Sequence, residues 1–153
     1  MIRIDSPFTE IIDNRAPGQA LGLAVVGDIS RTWYADRDML AELLNWLWGL
    51  DEQLFVSIHG AHGFDTRVTD TVTGMGVRLY HHAGYEGVPW EGRFEYKAVD
   101  ALDVLSDAVC LIVMTRRKQE DVWEVDPKTV DAAVAHGLPV FALSEEGTLC
   151  PWP

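Results

Sequence analysis

The residues best suited to chemistry gather in one short stretch, His59-Gly60-Ala61-His62-Gly63-Phe64-Asp65-Thr66. His59, His62 and Asp65 recur at three-residue spacing, and imidazole with carboxylate is a zinc-type donor set. Metal ligation needs side chains that converge, and this stretch reads instead as a loop with a hydrogen-bonded histidine at 59; no metal is expected. Gly60 and Gly63 can take positive φ or let a ligand approach the backbone closely. Asp65 stands where a helix N-cap belongs, ahead of Val68, Val72 and Met75 at helical spacing. Before the loop, Leu54–Ile58 is a short apolar run with β-branched residues, the mark of a buried strand. Strand, glycine loop and helix N-terminus in succession present backbone N–H groups to an anionic ligand.

Other reactive side chains are scattered. Arg93 and Lys97 lie one turn apart at what reads as a helix start, where positive charge opposes the macrodipole; Arg93 stands between a ligand role and a plain solvated face, and Lys97 reads as the latter. The basic run Arg116-Arg117-Lys118 is followed at once by Glu120 and Asp121 and reads as a self-neutralised loop. The His81-His82 pair at a strand end reads as surface. No Ser-His-Asp arrangement is evident, Ser57 is internal to a strand, and Cys110 sits in an apolar run. Neither cysteine reads as a nucleophile or as half of a disulfide framework.

The 153 residues suffice for one domain with a full core, and 48% hydrophobic against 24% charged residues is ordinary for a globular protein. A formal charge of -12 repels a phosphate backbone and argues against nucleic acid as a partner, while leaving room for one small anion in a locally positive loop. No apolar run approaches the roughly 18 residues of a membrane span, and Met1-Ile2-Arg3-Ile4-Asp5 lacks the basic-then-apolar layout of a signal peptide. A cytoplasmic protein without a membrane partner is expected.

These residues need elements to hold them. Residues 1–20 read as an N-terminal arm or edge strand ending at the turn Asn14–Gly18, with a dimer contact left open; residues 21–153 form the domain. Leu21–Val26 is the first central strand. Asp36 caps a helix with Met39, Leu40, Leu43, Leu44 and Leu47 on one stripe, stopped near Gly49. Strand Leu54–Ile58, the helix from Asp65 and strand Val77–Tyr80 follow. His81–Gly92 reads as an aromatic loop, and apolar residues at 94, 98, 101, 102 and 105 give Arg93–Leu105 a helical period. Ala108–Met114 is an unbroken apolar strand, Asp126-Pro127 opens a helix, Leu138–Leu143 is the last strand and Ser144–Pro153 a tail. The expected fold is a Rossmann-like α/β domain of three layers, its doubly wound parallel sheet ordered 3-2-1-4-5. The switch between strands 1 and 4 then draws Gly27–Trp33, His59–Asp65 and Thr115–Asp126 around one crevice.

In its stretches 26–33, 59–66 and 90–97 the chain resembles the SLOG superfamily, Rossmann-like domains related to LOG phosphoribohydrolases and the DprA/Smf proteins, and within it the small stand-alone branch. A Gly-Ser-Arg turn with a tryptophan beyond matches Val26-Gly27-Asp28-Ile29-Ser30-Arg31-Thr32-Trp33. A His-Gly-Gly-Ala-x-Gly-Ala-Asp loop matches His59–Thr66, and an Arg-Asn helix start after an aromatic loop matches Trp90–Lys97. The likeness spans residues 21–143. It implies a ligand-binding set of Gly27, Asp28, Ser30, Arg31, Trp33, His59, Gly60, Gly63, Asp65, Thr66 and Arg93. One departure bears on activity: after strand 4 the group has a Gly-Gly-Thr-Gly-Thr phosphate loop, to which LOG enzymes add a glutamate. Here Arg116–Asp126 is charged and β-branched, and cannot make the same close backbone approach.

The leading expectation is therefore a sensor or carrier that binds a nucleotide or nucleotide-derived small molecule and needs no cofactor. A nucleoside-phosphate N-glycosidic hydrolase or transferase of LOG type is the alternative, with Glu95 or Asp65 as the catalytic carboxylate. The third reading is a ligand-free scaffold presenting Trp46 and Trp48.

Overall fold

The computed structural model describes residues 2–27, 33–58, 64–81, 84–88, 93–97, 105, 107–114 and 127–152. Its framework is set by runs of residues with nothing polar to offer either side. Strand β2 (Gly22–Gly27, GLAVVG) and strand β7 (Cys110–Met114, CLIVM) are almost wholly buried. Such strands fit only mid-sheet, covered on both faces. They pair in parallel from Leu23↔Cys110 to Gly27↔Met114. β3 (Phe55–Ile58) lies parallel on the other side of β2, and β4 (Arg78–His81) lies parallel beyond β3. On the β7 side come β8 (Val140–Leu143), then β9 (Thr148–Pro151), then the two-residue β1 (Arg3–Ile4). The sheet therefore runs β1-β9-β8-β7-β2-β3-β4, seven strands with only β8–β9 antiparallel.

The pleat sorts the core into two clusters. Leu23 and Val25 of β2, with Cys110, Ile112 and Met114 of β7, pack with three helices: α1 (Ser6–Asp13), α2 (Trp33–Leu50) and α3 (Phe64–Gly74). The alternate residues Ala24, Val26, Leu111 and Val113 face the other way, onto Leu105 and helix α4 (Pro127–Ala135). α1 and α2 each insert a full apolar stripe, Phe8 and Ile12 from the first and Leu40, Leu43, Leu44 and Leu47 from the second. Gly76, at φ 74°, ends α3 in the left-handed region and turns the chain into β4.

Several expectations need correction. Residues 93–97 are not helical: β6 (Arg93–Lys97) pairs antiparallel with β5 (Gly84–Val88), which was expected to be loop. Arg93-Phe94-Glu95-Tyr96-Lys97 alternates charged and aromatic residues strictly, and Phe and Tyr favour a pleated surface; that period of two overrides the coincidental helical spacing. The segment Ser144–Pro153 is not a plain tail. A tight turn with Gly147 at φ 86° folds it back as β9, and Thr148 N–H donates to the Ser144 hydroxyl at 3.0 Å. The N-terminal residues hold a helix as well as an edge strand, because Phe8 and Ile12 share one face of Ser6–Asp13 and Pro7 suits its first turn.

One packing detail follows from the register. Phe55 is the β3 partner of Gly22, and its ring lies across that glycine; a Cβ at position 22 would overlap the ring. The ring meets Tyr80 edge-on at 5.2 Å and cannot retreat without giving up that contact. Gly22→Ala is expected to destabilise by about 1–3 kcal/mol, and by much less in a Phe55→Leu background. Urea unfolding of the four proteins of this cycle measures the coupling; equal costs in both backgrounds would remove the steric explanation.

Candidate functional site

The place for a site comes from how the chain leaves its two central strands. β2 and β7 are neighbours, yet β2 leads into α2 on one face of the sheet and β7 leads towards α4 on the other. Their carboxyl ends, Gly27 and Met114, are register partners. In doubly wound sheets, ligands are received where adjacent parallel strands send their helices to opposite faces.

Gly27 closes β2 and is half-buried. Trp33 is the first residue of α2, and Asp65 and Thr66 are the second and third of α3. Since β2 and β3 are adjacent and parallel, and α2 packs on α3, these four positions share the carboxyl edge of the sheet. Asp65 thus falls inside the first turn of α3 rather than ahead of it, because the helix starts at Phe64. Arg93 and Glu95 belong elsewhere, to the separate two-stranded ribbon, with Arg93 opposite Val88 and Glu95 opposite Glu86. A helix-start role for Arg93 therefore lapses. Asp28, Ser30, Arg31, His59, Gly60 and Gly63 lie outside the described residues, as do Arg116–Lys118.

Sequence reasoning missed a feature of this end of the sheet. Among the described residues three polar side chains are buried, Asp36, Ser57 and Thr129, each about 2% exposed. Asp36 is in the first turn of α2, Thr129 in the first turn of α4, and Ser57 is the penultimate residue of β3. All three therefore belong to the carboxyl half of the sheet, and each has an interaction partner. Burying a hydroxyl or carboxylate costs free energy that an apolar residue would not, so such groups concentrate where a fold does something besides pack. The signal available beforehand was only an aspartate near a helix start, which reads first as a cap. Here the helix begins three residues before Asp36, and the side chain turns inward.

The amino end of the sheet is built differently. An open cleft of about 540 Å³ lies there, between the end of α1, the turn at residues 15–19 and the end of α2. Its polar groups serve one another. Leu21 N–H and the Arg15 guanidinium donate to Asp51 Oδ2 at 3.3 and 3.4 Å, Gln53 N–H donates to Asp51 Oδ1 at 2.8 Å, and Arg15 also donates to the Ile12 carbonyl at 2.7 Å. This knot joins the start of β2 to the α2–β3 turn and leaves the cleft without a convergent set of side chains for a ligand.

No described cluster of three or more His, Cys, Asp or Glu side chains could hold a metal ion, and no described helix is long and apolar enough to cross a membrane. Comparisons with known protein families, characterised proteins and solved structures give no match to this chain.

The cysteines are both free. Burial pushes the Cys110 thiol well up, and partial burial, followed by the Asp5 carboxylate, raises Cys150. Neither is poised as a thiolate nucleophile at neutral pH. Cys110 also links stability to pH. The unfolded thiol loses its proton near pH 9.0 while the folded one keeps it, so its contribution is complete below that pH and falls as the pH rises above it. The decline reaches about 1.4 kcal/mol per pH unit. Denaturant unfolding between pH 8 and pH 10.5 should show this slope in the native protein and its loss in Cys110→Ala; parallel curves for the two would refute the assignment.

Proposed function

We propose that this protein binds a nucleotide or nucleotide-derived small molecule at the carboxyl edge of its sheet, as a sensor or carrier rather than a hydrolase. The observation behind this reading is the divergence of α2 and α4 from the adjacent carboxyl ends of β2 and β7, with buried Asp36 and Thr129 in their first turns. The reading takes β4-β3-β2-β7-β8 as the doubly wound unit, a SLOG-like core, with β9 and β1 as an extension past β8.

The ligand chemistry follows from the loops that rise from this edge. His59–Gly63 links β3 to the first turn of α3, whose unsatisfied N–H groups and positive dipole end favour phosphate. Gly60 and Gly63 let that phosphate lie against the backbone. In the stretch that follows the neighbouring strand, between Gly27 and Trp33, Ser30 adds a hydroxyl donor and Arg31 a guanidinium suited to a bidentate phosphate contact, while Asp28 adds a carboxylate acceptor. Asp65 and Thr66 offer polar groups for ribose. Two features weigh against turnover of LOG type: the loop after β7 carries Arg116–Asp126 in place of glycines, and Glu95, one of the two carboxylate candidates, is a ribbon residue, which leaves Asp65 as the other.

Purine nucleoside mono- and diphosphates and ADP-ribose are expected to raise the melting temperature, since a ligand seen only by the folded state at 100 times its Kd adds about 2.7 kcal/mol. Nucleoside monophosphates incubated with the protein should release no free base above a protein-free control. Gly63→Val should abolish the thermal shift, because a branched Cβ obstructs the approach to the loop backbone, at a folding cost of about 1–3 kcal/mol if that backbone is left-handed. Gly49→Ala serves as the control: a Cβ there meets nothing within 4 Å, so both stability and ligand response should survive. A full panel at millimolar concentration that shifts nothing would leave the scaffold reading in its place.

A further inference from the structure

The seam between α1 and α2 is closed at one level and open at the next. Phe8 meets Trp46 there at 6.2 Å between ring centroids. One turn further along each helix, Ile12 and Leu50 line the open cleft at the amino end of the sheet, with Ala16 and Pro17 of the following turn. The two helices therefore run side by side in the same direction, and the groove between them widens as the chain leaves α1.

The end of α2 leaves apolar surface on this flank. Leu43–Leu50 contains no charged residue. Leu43, Leu44 and Leu47 serve the core, while Trp46 and Leu50 stay 36% and 50% exposed. A single exposed apolar residue on a helix is ordinary. Here two large ones stand at i and i+4, one above the other on the helix surface, and the second forms a wall of a cleft of about 540 Å³. Main-chain and polar groups beside it are engaged in the Arg15–Asp51 knot, so an occupant gains little from hydrogen bonding there. That disfavours an added strand. Apolar anchors that step one turn at a time are what an amphipathic helix brings to a groove.

The rim selects the charge of that helix. Asp13 lines the cleft, Glu10 precedes it by one turn of α1, and Glu52 follows Asp51 in the α2–β3 turn. All three are exposed, and none has an ion-pair partner among the described residues. Arg15, the basic residue of the cleft, is engaged by Asp51 at 3.4 Å. A second copy docked about a two-fold axis would set these carboxylates against their own counterparts, and an anionic lipid surface would be repelled by them. Lysine and arginine beside an apolar stripe complement them. We propose that the α1–α2 groove receives an amphipathic helix of another protein, with apolar side chains seated against Ile12, Pro17 and Leu50 and flanking basic side chains facing Glu10, Asp13 and Glu52. This surface lies at the opposite end of the sheet from the proposed nucleotide site and does not rest on it.

The experiment is fluorescence anisotropy with three labelled probes: a leucine–lysine peptide patterned as an amphipathic helix, the same composition scrambled, and the patterned peptide with glutamate for lysine. The native protein should bind the first and neither of the others. Leu50→Gln removes one apolar anchor from an exposed position and should weaken binding about tenfold or more; Ala16→Arg, which fills the cleft mouth with a repelling charge, should do the same. Asp13→Asn with Glu52→Gln should weaken binding and flatten its salt dependence. Two controls should bind as the native protein does: Val134→Gln, which removes an exposed apolar residue of α4, and Glu145→Gln with Glu146→Gln, which removes the same charge from the β8–β9 turn. Equal binding of the scrambled peptide, equal losses in the two charge pairs, or native affinity in both Leu50→Gln and Ala16→Arg reduces the effect to general attraction by an acidic protein and overturns the proposal. A native dimer that Leu50→Gln dissociates in light scattering overturns it in favour of a second copy.

Discussion

The pairing of β2 with β7 is the constraint from which the remaining structure descends. Both strands are apolar on both faces, and the five register pairs from Leu23↔Cys110 to Gly27↔Met114 place them side by side at the centre of the sheet. Once they are paired, each face needs its own cover. The chain before and after β3 supplies α2 and α3 to one face, and the chain after β7 supplies α4 to the other. The two strands lie far apart in sequence, so their union closes a long loop, and its entropy must be met before any of the flanking contacts can form. The strands between them in sequence, β3 and β4, add outward from β2. Those after them, β8 and β9, add outward from β7, and β1 closes the far edge against β9.

That arrangement makes the two ends of the sheet unlike each other. At the amino end the chain enters its central strands from turns, and the polar groups there are consumed locally: Asp51 alone accepts hydrogen bonds from two backbone N–H groups and one guanidinium. At the carboxyl end two helices begin on opposite faces, each with first-turn N–H groups that have no partner within the helix, and the buried polar side chains of the described residues collect in that half. The cleft at the amino end is space between elements already tied together; the carboxyl edge is where the proposed reading puts the ligand. Chemistry, rather than volume, decides which of them suits a ligand.

The overall charge of -12 is compatible with an anionic ligand at that edge. Charges on distant surfaces are screened beyond about 8 Å at physiological ionic strength, whereas backbone N–H groups at a helix start act at contact distance. Long-range repulsion lowers the encounter rate and short-range donors set the dwell time. On the proposed reading, an acidic surface opposes a polyanion, whose many phosphates extend past the local donors, more than it opposes a single phosphate group.

How much of this was legible beforehand depended on whether a segment carries one periodic signal or two. Runs such as Leu21–Val26 and Ala108–Met114 have no competing reading, and Pro127 marks its helix start without help from elsewhere. Arg93–Lys97 was misread because Phe94 fits both a period of two and a helical period that continues beyond it, and a strand has to find its partner, here Gly84–Val88, before its pattern means anything. β9 was missed for a related reason: four residues gain strand identity only from β8 and β1 on either side. Asp36 looked like a cap because local sequence records which residue types favour a helix start, not which way a side chain turns once the helix has docked. Gly22 is the clearest case. Read locally it weakens a strand; set beside Phe55 it is the vacancy that lets an aromatic ring lie flat across the sheet. A residue whose value lies in the absence of its side chain becomes intelligible only when the neighbour that fills the gap is known, and that neighbour, more than thirty residues away, was not readable from the glycine itself.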